Sequence, residues 1–337
     1  MIYSLIKYIL FKFDPEKSHD FLIKTLKVIY KTPLKYLICQ SIPDKPIKCM
    51  NINFKNLLGL AAGFDKNGDC IDIINSMGFG FIEVGTVTPK AQQGNNKPRL
   101  FRLVNKGAFL NHMGFPNLGI DNLINNIKQS KFNGVLGVNI GKNFNTSIEN
   151  AIEDYLVCIK KIYNYASYIV INISSPNTPN LRSLQFGIIF DNLLKEIKYN
   201  QLILKKIYNN KYVPIVLKIS PDLTFFELIK IADSLLRYNI DGIIATNTTT
   251  NYKLIKNINK NIKIGGLSGC PLQHHSNRVI KILSSELKNK IPIIGVGGIN
   301  SITEAKNKLF AGAKLIQIYT GLIFKGPSLI KEIVNNI

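Results

Sequence analysis

The sequence predicts an α/β protein, a closed (β/α)8 TIM barrel with an N-terminal two-helix extension. Three observations predict it. Short runs rich in Ile, Val and Gly recur eight times from Leu57 onward, each almost continuously apolar. Longer amphipathic or polar segments separate them, and apolar strands alternating with helices make a parallel sheet buried on both faces. Each run also hands over at its C-terminal end to a polar residue or a glycine, the pattern of a barrel's functional rim. An open doubly wound sheet is the alternative, but eight such runs fit closure better.

Residues 1–32 form a separate unit. Ile2, Leu5, Ile6, Ile9, Leu10 and Phe13 mark one face of a helix. Asp14-Pro15-Glu16 restarts the chain with an N-cap, a proline at the first helical position and an acid in the first turn. Leu22, Leu26 and Ile29 make a second stripe, which Thr32-Pro33 ends. With Lys7, Lys12, Lys17, Lys24 and Lys27 between the stripes, the pair suits either an anionic membrane surface or a hairpin packed on the main domain. Residues 33–50, with Pro33, Pro43 and Pro46, read as a linker, and 51–337 as the catalytic barrel. Its strands are expected at Leu57–Ala61, Phe81–Gly85, Val135–Ile140, Tyr168–Ile171, Ile215–Leu217, Gly242–Ala245, Ile291–Val296 and Leu315–Ile318, with helices such as Phe225–Tyr238 and Ser301–Gly312 between them.

Composition excludes several functions. The balance of 43 basic against 21 acidic residues gives +22. Scattered lysines, together with filler such as the Ile, Asn and Lys run at 258–263, indicate a composition bias, and no aromatic-interleaved basic patch marks a nucleic-acid partner. The five cysteines (39, 49, 70, 158 and 270) form no CxxC pair and have no histidine at ligand spacing, so no metal site or disulfide framework is expected. No apolar run is long enough to span a bilayer.

The chemistry gathers at the strand ends: Gly63 and Lys66, Thr86, Asn139, Asn172, Lys218, Thr246 with Asn247, Gly297 with Gly298, and Tyr319 with Thr320. Gly295-Val-Gly-Gly298 and Tyr319-Thr-Gly321, after the last two strands, occupy the phosphate corner of such barrels. Glycines there let backbone N–H groups approach an anion. Lys218 can stabilise an anionic ring such as a reduced flavin, or form a Schiff base with a carbonyl. Lys66 can meet a carboxylate, or pair with Asp65 or Asp69. In Asn172-Ile-Ser-Ser-Pro-Asn-Thr-Pro179, the prolines hold Asn172, Ser175 and Asn177 facing one space. With Asn111 and Asn247 they supply carboxamides, donor and acceptor at once, as an imide or urea edge requires. His112 has no evident partner acid.

These residues together resemble quinone-dependent (class 2) dihydroorotate dehydrogenase. The resemblance runs from Phe13-Asp-Pro-Glu16 and His19 to Phe324-Lys-Gly-Pro327. It rests on Gly59-Leu-Ala-Ala-Gly-Phe-Asp-Lys66, Gly85-Thr-Val-Thr-Pro89, Lys97-Pro-Arg-Leu-Phe-Arg102, Asn111-His-Met-Gly-Phe115, Asn172 to Thr178, Ala245-Thr-Asn-Thr248, Gly265-Gly-Leu-Ser-Gly269 and Gly295-Val-Gly-Gly298. It implies FMN held by Ala62, Gly63, Phe64, Asp65, Lys66, Thr86, Asn139, Asn172, Lys218, Thr246, Gly269, Gly298, Tyr319 and Thr320. It implies dihydroorotate held by Lys66, Asn111, His112, Met113, Gly114, Phe115, Asn172, Asn177, Asn247 and Thr248, with Ser175 as catalytic base helped by a relay through Thr178. Ser175, where relatives without an N-terminal extension carry Cys, and the extension itself imply the membrane-associated branch. In that branch His19, Arg102 and Tyr319 lie near a quinone, and the protein sits peripherally on the cytoplasmic face of the inner membrane. The chain departs from the family at Cys270, where Arg is common, and at Pro116, where Asn is common. Another FMN barrel oxidoreductase, an RNA-binding scaffold on the same fold and a lysine Schiff-base aldolase are the competing readings.

Overall fold

The computed structural model describes residues 2–254 and 265–337, so the lysine-rich filler at 258–263 lies outside the described residues. Helices α1 (Ile2–Leu10) and α2 (Pro15–Ile29) form the N-terminal unit. The Asp14 carboxylate accepts from Lys17 N–H and Pro15 takes the first helical position, so the restart at Asp14 is a capped helix start. Residues 33–50, expected as a linker, hold a 3-10 turn at Pro33–Leu37 and a strand, β1 (Ile47–Cys49), paired with β2 (Ile52–Phe54). Cys49 and Phe54 of this hairpin pack with Phe81 and Tyr168 and close the barrel's N-terminal end.

The further strands are β3 (Leu58–Leu60), β4 (Phe81–Val87), β5 (Leu100–Leu103), β6 (Ala108–Asn111), β7 (Val135–Ile140), β8 (Tyr168–Asn172), β9 (Ile215–Ile219), β10 (Gly242–Ala245), β11 (Gly266–Gly269), β12 (Ile293–Val296) and β13 (Leu315–Ile318). Eight of them close a parallel barrel in the order β3-β4-β7-β8-β9-β10-β12-β13, with β13 pairing back to β3. The remaining three form a small antiparallel sheet, β11-β6-β5, beside the barrel mouth. Helices follow the barrel strands, among them Phe225–Arg237, with a Thr224–Glu227 capping box, and Ile302–Phe310. Among the described residues no helix is long and apolar enough to cross a membrane.

Alternation along each strand explains the two cores. Ile215, Leu217 and Ile219 face the helices, whereas Val216, Tyr168, Val170, Ile244, Ile294 and Leu315 fill the barrel. Large rings fit inside because neighbouring strands carry glycine. A Cβ on Gly137 would stand 2.2 Å from the Tyr168 ring, and one on Gly59 2.3 Å from Phe81.

This alternation also corrects the strand ends. Lys218 and Thr86 lie inside β9 and β4 rather than after them, and Asn172 is the last residue of β8. Lys218 and Asn172 continue the inward-facing series of their strands, whereas Thr86 has the opposite parity to Phe81 and Glu83 and turns inward at the irregularity between Gly85 and Val87, so the polar groups form an upper layer inside the barrel. At β12 the strand begins at Ile293, after Pro292, which has no N–H to give the ladder.

Candidate active site

A cleft with about 1270 Å³ of empty space opens at the C-terminal mouth of the barrel. It brings together Ala62, Gly63, Lys66, Thr86, Asn172, Ser175, Lys218, Thr246, Gly269, Gly298, Tyr319 and Thr320, along with Asn111, Met113, Gly114, Phe115, Asn177, Asn247 and Thr248. Its floor is a hydrogen-bonded line of carboxamides. Asn172 Nδ2 donates to Asn139 Oδ1 (3.1 Å) and to Thr86 Oγ1 (3.0 Å), and Thr86 in turn donates to Asn139 Oδ1 (2.6 Å). Asn247 Nδ2 donates to Ser174 Oγ (3.0 Å) and reaches Asn172 Oδ1 at 3.3 Å. Asn139 is therefore a fully buried support beneath the cleft.

Ser175 follows β8 on the proline-stiffened loop and is 5% exposed, with its Oγ accepting from Asn177 N–H at 3.2 Å. The Asn177 amide donates to the Asn111 side chain (2.9 Å), and its carbonyl oxygen faces His112 Nδ1 at 3.2 Å. His112 thus stands behind Asn177 rather than on the cleft wall. Thr178, expected as a relay, has a buried hydroxyl with no hydrogen-bond partner. Arg182 fixes the loop from below, donating to Ser174 O (3.1 Å), Thr248 O (3.0 Å) and Asp222 (2.8 Å).

Two residues in the expected flavin set face elsewhere. Asp65 is buried and its carboxylate caps the turn after it, accepting from the backbone N–H groups of Asp69 (2.8 Å) and Cys70 (2.7 Å). Burial pushes this carboxyl up to about 6 despite those bonds. Phe64 packs edge-on against His19 and Tyr319. Lys66 reaches the cleft, with Nζ 3.5 Å from His19 Nε2. Burial lowers the Lys66 ammonium, opposed by Asp20, Glu16 and Asp65. Burial, with the Lys66 charge second, pushes His19 down to about 3, so a neutral imidazole faces the lysine.

Sequence reading missed Glu83 and Gln317. Both are fully buried inside the barrel, directly under the carboxamide line. Glu83 accepts from Gln317 Nε2 (2.6 Å) and Asn139 Nδ2 (2.8 Å), and lies 3.6 Å from Lys218 Nζ. The signal was a polar residue at an inward position within an apolar run, Ile82-Glu83-Val84 and Ile316-Gln317-Ile318.

A second, apolar cavity of about 1030 Å³ lies between the N-terminal helices and the barrel. Leu10, Leu22, Leu26, Phe64 and Ile323 line it, and His19, Leu100, Phe109 and Tyr319 are shared with the cleft. Arg102 reaches its wall, donating to Phe11 O (3.1 Å) with its guanidinium 4.2 Å from the Phe11 ring centre. Glu16 and Arg99, both nearly buried, pin α2 to β5: Arg99 Nη2 donates to Oε1 at 2.7 Å and Nε to Oε2 at 3.1 Å. Burial raises the Glu16 carboxyl, but Arg99 and Lys97 outweigh it and hold it below the ordinary value. The apolar stripe of α1 and the turn after it is divided: Leu5, Ile6, Ile9 and Phe13 are exposed, while Leu10 and one side of Ile6 line the cavity.

The residues present fit a flat, anionic flavin nucleotide. Lys218 places a buried cation at the floor, and Thr246 keeps a buried hydroxyl without a partner. Gly269 and Gly298, at φ of 96° and 78°, open the corner where Ser268 and Thr320 hydroxyls meet at 2.9 Å. No group of three or more His, Cys, Asp or Glu side chains is placed to hold a metal among the described residues.

Comparison with known proteins agrees with this arrangement. A family model described as dihydroorotate dehydrogenase matches residues 46–337. Proteins named dihydroorotate dehydrogenase (quinone) from Proteus mirabilis and Yersinia enterocolitica are 58% and 59% identical, over all of this chain and all of theirs. The crystal structure of DHODH in complex with ferulenol from Eimeria tenella superposes with a TM-score of 0.86 at 33% identity, covering 96% of this chain and 90% of that one. The ligand-free enzyme from the same organism gives 0.86 at 34%, covering 96% and 93%. A polar cleft of this composition, backed by an apolar cavity under two N-terminal helices, and full-length likeness to those proteins together establish that the chain belongs to the dihydroorotate dehydrogenase family.

Proposed function

We propose that the protein oxidises (S)-dihydroorotate to orotate in de novo pyrimidine biosynthesis, with FMN as hydride acceptor and a membrane quinone as final electron acceptor. The observation that carries this is one cleft in which Ser175, Lys66 and four asparagines (111, 172, 177 and 247) converge, sharing a wall with an apolar cavity. Ser175 Oγ takes the proton from C5 of dihydroorotate as its own hydroxyl proton passes on towards water through a relay at the Thr178 hydroxyl, which is buried and has no other hydrogen-bond partner. A serine hydroxyl is a weak base, and burial helps by excluding competing water. Lys66 binds the substrate carboxylate, while the asparagines hold the imide edge so that the reacting atoms stay at near-attack distance. FMN supplies the two-electron acceptor and is held at the mouth by Ala62 to Lys66, Thr86, Asn139, Asn172, Lys218, Thr246, Gly269, Gly298, Tyr319 and Thr320. Phe64, Asp65 and Asn139 contribute from behind, by packing, capping and support. Lys218 offsets negative charge gathering at the floor.

His19, Arg102 and Tyr319 lie around the apolar cavity, which suits the head and first isoprenoid units of a quinone. The exposed Leu5, Ile9, Phe13 and Phe21, with Lys12, Lys17 and Lys24 nearby, support peripheral attachment to an anionic membrane, at the cytoplasmic face of the inner membrane. Anaerobic titration tests the reading. Dihydroorotate should bleach the flavin absorbance stoichiometrically and a soluble quinone should restore it; no bleaching refutes the substrate assignment. Co-sedimentation with anionic but not neutral vesicles, weakening with salt, tests the attachment.

A further inference from the structure

Asparagine and glutamine present a donor and an acceptor of nearly the same shape, so only the chemistry of their neighbours decides which end faces a ligand. In this cleft the decision can be traced to one group. Glu83 lies in the middle of β4, fully buried, and receives four donors: Gln317 Nε2 at 2.6 Å, Asn139 Nδ2 at 2.8 Å, Tyr168 Oη at 3.4 Å and, at ion-pair distance, Lys218 Nζ at 3.6 Å. A carboxylate accepts and never donates. Asn139 must therefore turn its NH2 down and its carbonyl up. The upturned Oδ1 accepts from Thr86 Oγ1 and Asn172 Nδ2, at 2.6 and 3.1 Å. That turns Asn172 Oδ1 the other way, towards Ser174 N and Oγ (3.3 and 3.2 Å) and Asn247 Nδ2 (3.3 Å). Asn247 then directs its own carbonyl to Thr248 N–H at 2.8 Å. Every link points the same way.

One observation shows that the carboxylate, not packing, sets this direction. Gln317 gives its NH2 to Glu83 although its own carbonyl oxygen is left buried without a partner. Burial and the Glu83 charge push the Tyr168 phenol well up, so that it too stays a donor.

We propose that Glu83 is a positioning residue which sets the donor–acceptor polarity of the Asn139, Asn172 and Asn247 carboxamides, and thereby which edge of a pyrimidine ring the cleft accepts. The inference rests on the dihydroorotate reading and deepens it: Glu83 touches neither substrate nor cofactor, and acts through Asn139.

The test ranks two variants. Glu83→Gln keeps the shape but presents a donor as well, so one of its amide neighbours must turn. Glu83→Asp loses a methylene but keeps acceptor-only chemistry. Orotate affinity, read from its perturbation of the flavin spectrum, is expected to fall tenfold or more in Glu83→Gln, and less in Glu83→Asp. FMN retention and the far-UV spectrum should be kept in both. A shape-filling role predicts the reverse order, because Gln is the isostere. Equal affinities for wild type and Glu83→Gln, or Gln above Asp, overturn the proposal. If Glu83→Gln does not fold, Asn139→Leu cuts the same line one link higher and is expected to cost at least tenfold in orotate affinity; an unchanged affinity there overturns it as well. A wild-type protein that binds no orotate would instead contradict the functional reading itself.

Discussion

Replacing Arg99 with methionine tests whether the two N-terminal helices serve the second half-reaction only. Arg99 is 6% exposed and holds Glu16 through three hydrogen bonds, at 2.7, 3.1 and 3.3 Å, while its other nitrogen donates to Gln93 O and Asn95 O at 2.6 and 2.7 Å. Methionine fills much of the same volume but strands a nearly buried carboxylate, with only the largely exposed Lys97 at 3.2 Å left to pair with it. Removing one partner of a buried ion pair costs about 3–5 kcal/mol. That cost falls on the docking of α2 against β5, not on the closed barrel. Amide hydrogen exchange in α2 should accelerate by about 10²-fold or more, while exchange in β8 and β9 stays unchanged. Dihydroorotate should still reduce the flavin at the wild-type rate, but turnover with quinone should fall by an order of magnitude. Unchanged α2 exchange, or equal loss in both half-reactions, would refute the assignment of the helices to the quinone side.

Four further outcomes follow from the packing and the charges. His19 is held at about 3, below its unfolded value of about 6.5, so the folded state binds fewer protons and stability falls as pH drops through that window. His19→Phe should flatten the melting temperature between pH 6.5 and 4.5. Lys308, fully buried with only neutral oxygens near its ammonium, is lowered to about 7 by burial, so its destabilising effect grows as pH falls from about 10.4 towards 7. Lys308→Met should therefore raise the melting temperature at pH 7, more than at pH 10. Gly137→Ala would drive a methyl to within 2.2 Å of Tyr168 and should cost at least about 1–3 kcal/mol, read by denaturant unfolding. Lys66→Met should weaken orotate by at least tenfold, because the substrate's carboxylate loses its cation, and should weaken FMN far less, because the rest of the flavin set is left in place.

The barrel was legible because its strands are buried on both faces and read as apolar runs whatever their tertiary partners. The rim was legible because Lys218, Asn139 and Asn172 interrupt those runs where a strand should end. In the structure Lys218 and Asn139 lie one residue before the strand end and Asn172 is the last residue of its strand; all three occupy inward positions, one layer lower than a turn would place them. The same parity marks Glu83 and Gln317, which escaped notice because a single polar residue inside an apolar run resembles noise until the opposite strand is known. The Glu16–Arg99 pair spans 83 residues and no local pattern encodes it. The orientation of Asp65 was hidden for a related reason: a motif puts it beside the expected flavin site, but does not show that its carboxylate turns back to accept from the backbone of Asp69 and Cys70.

The most direct measurement is anaerobic stopped-flow reduction of the bound flavin by dihydroorotate in wild type and Ser175→Ala. Loss of orders of magnitude in the reduction rate, with flavin content and orotate affinity retained, is the predicted result. Reduction at a near-normal rate without that hydroxyl would mean that the proton leaves by another route.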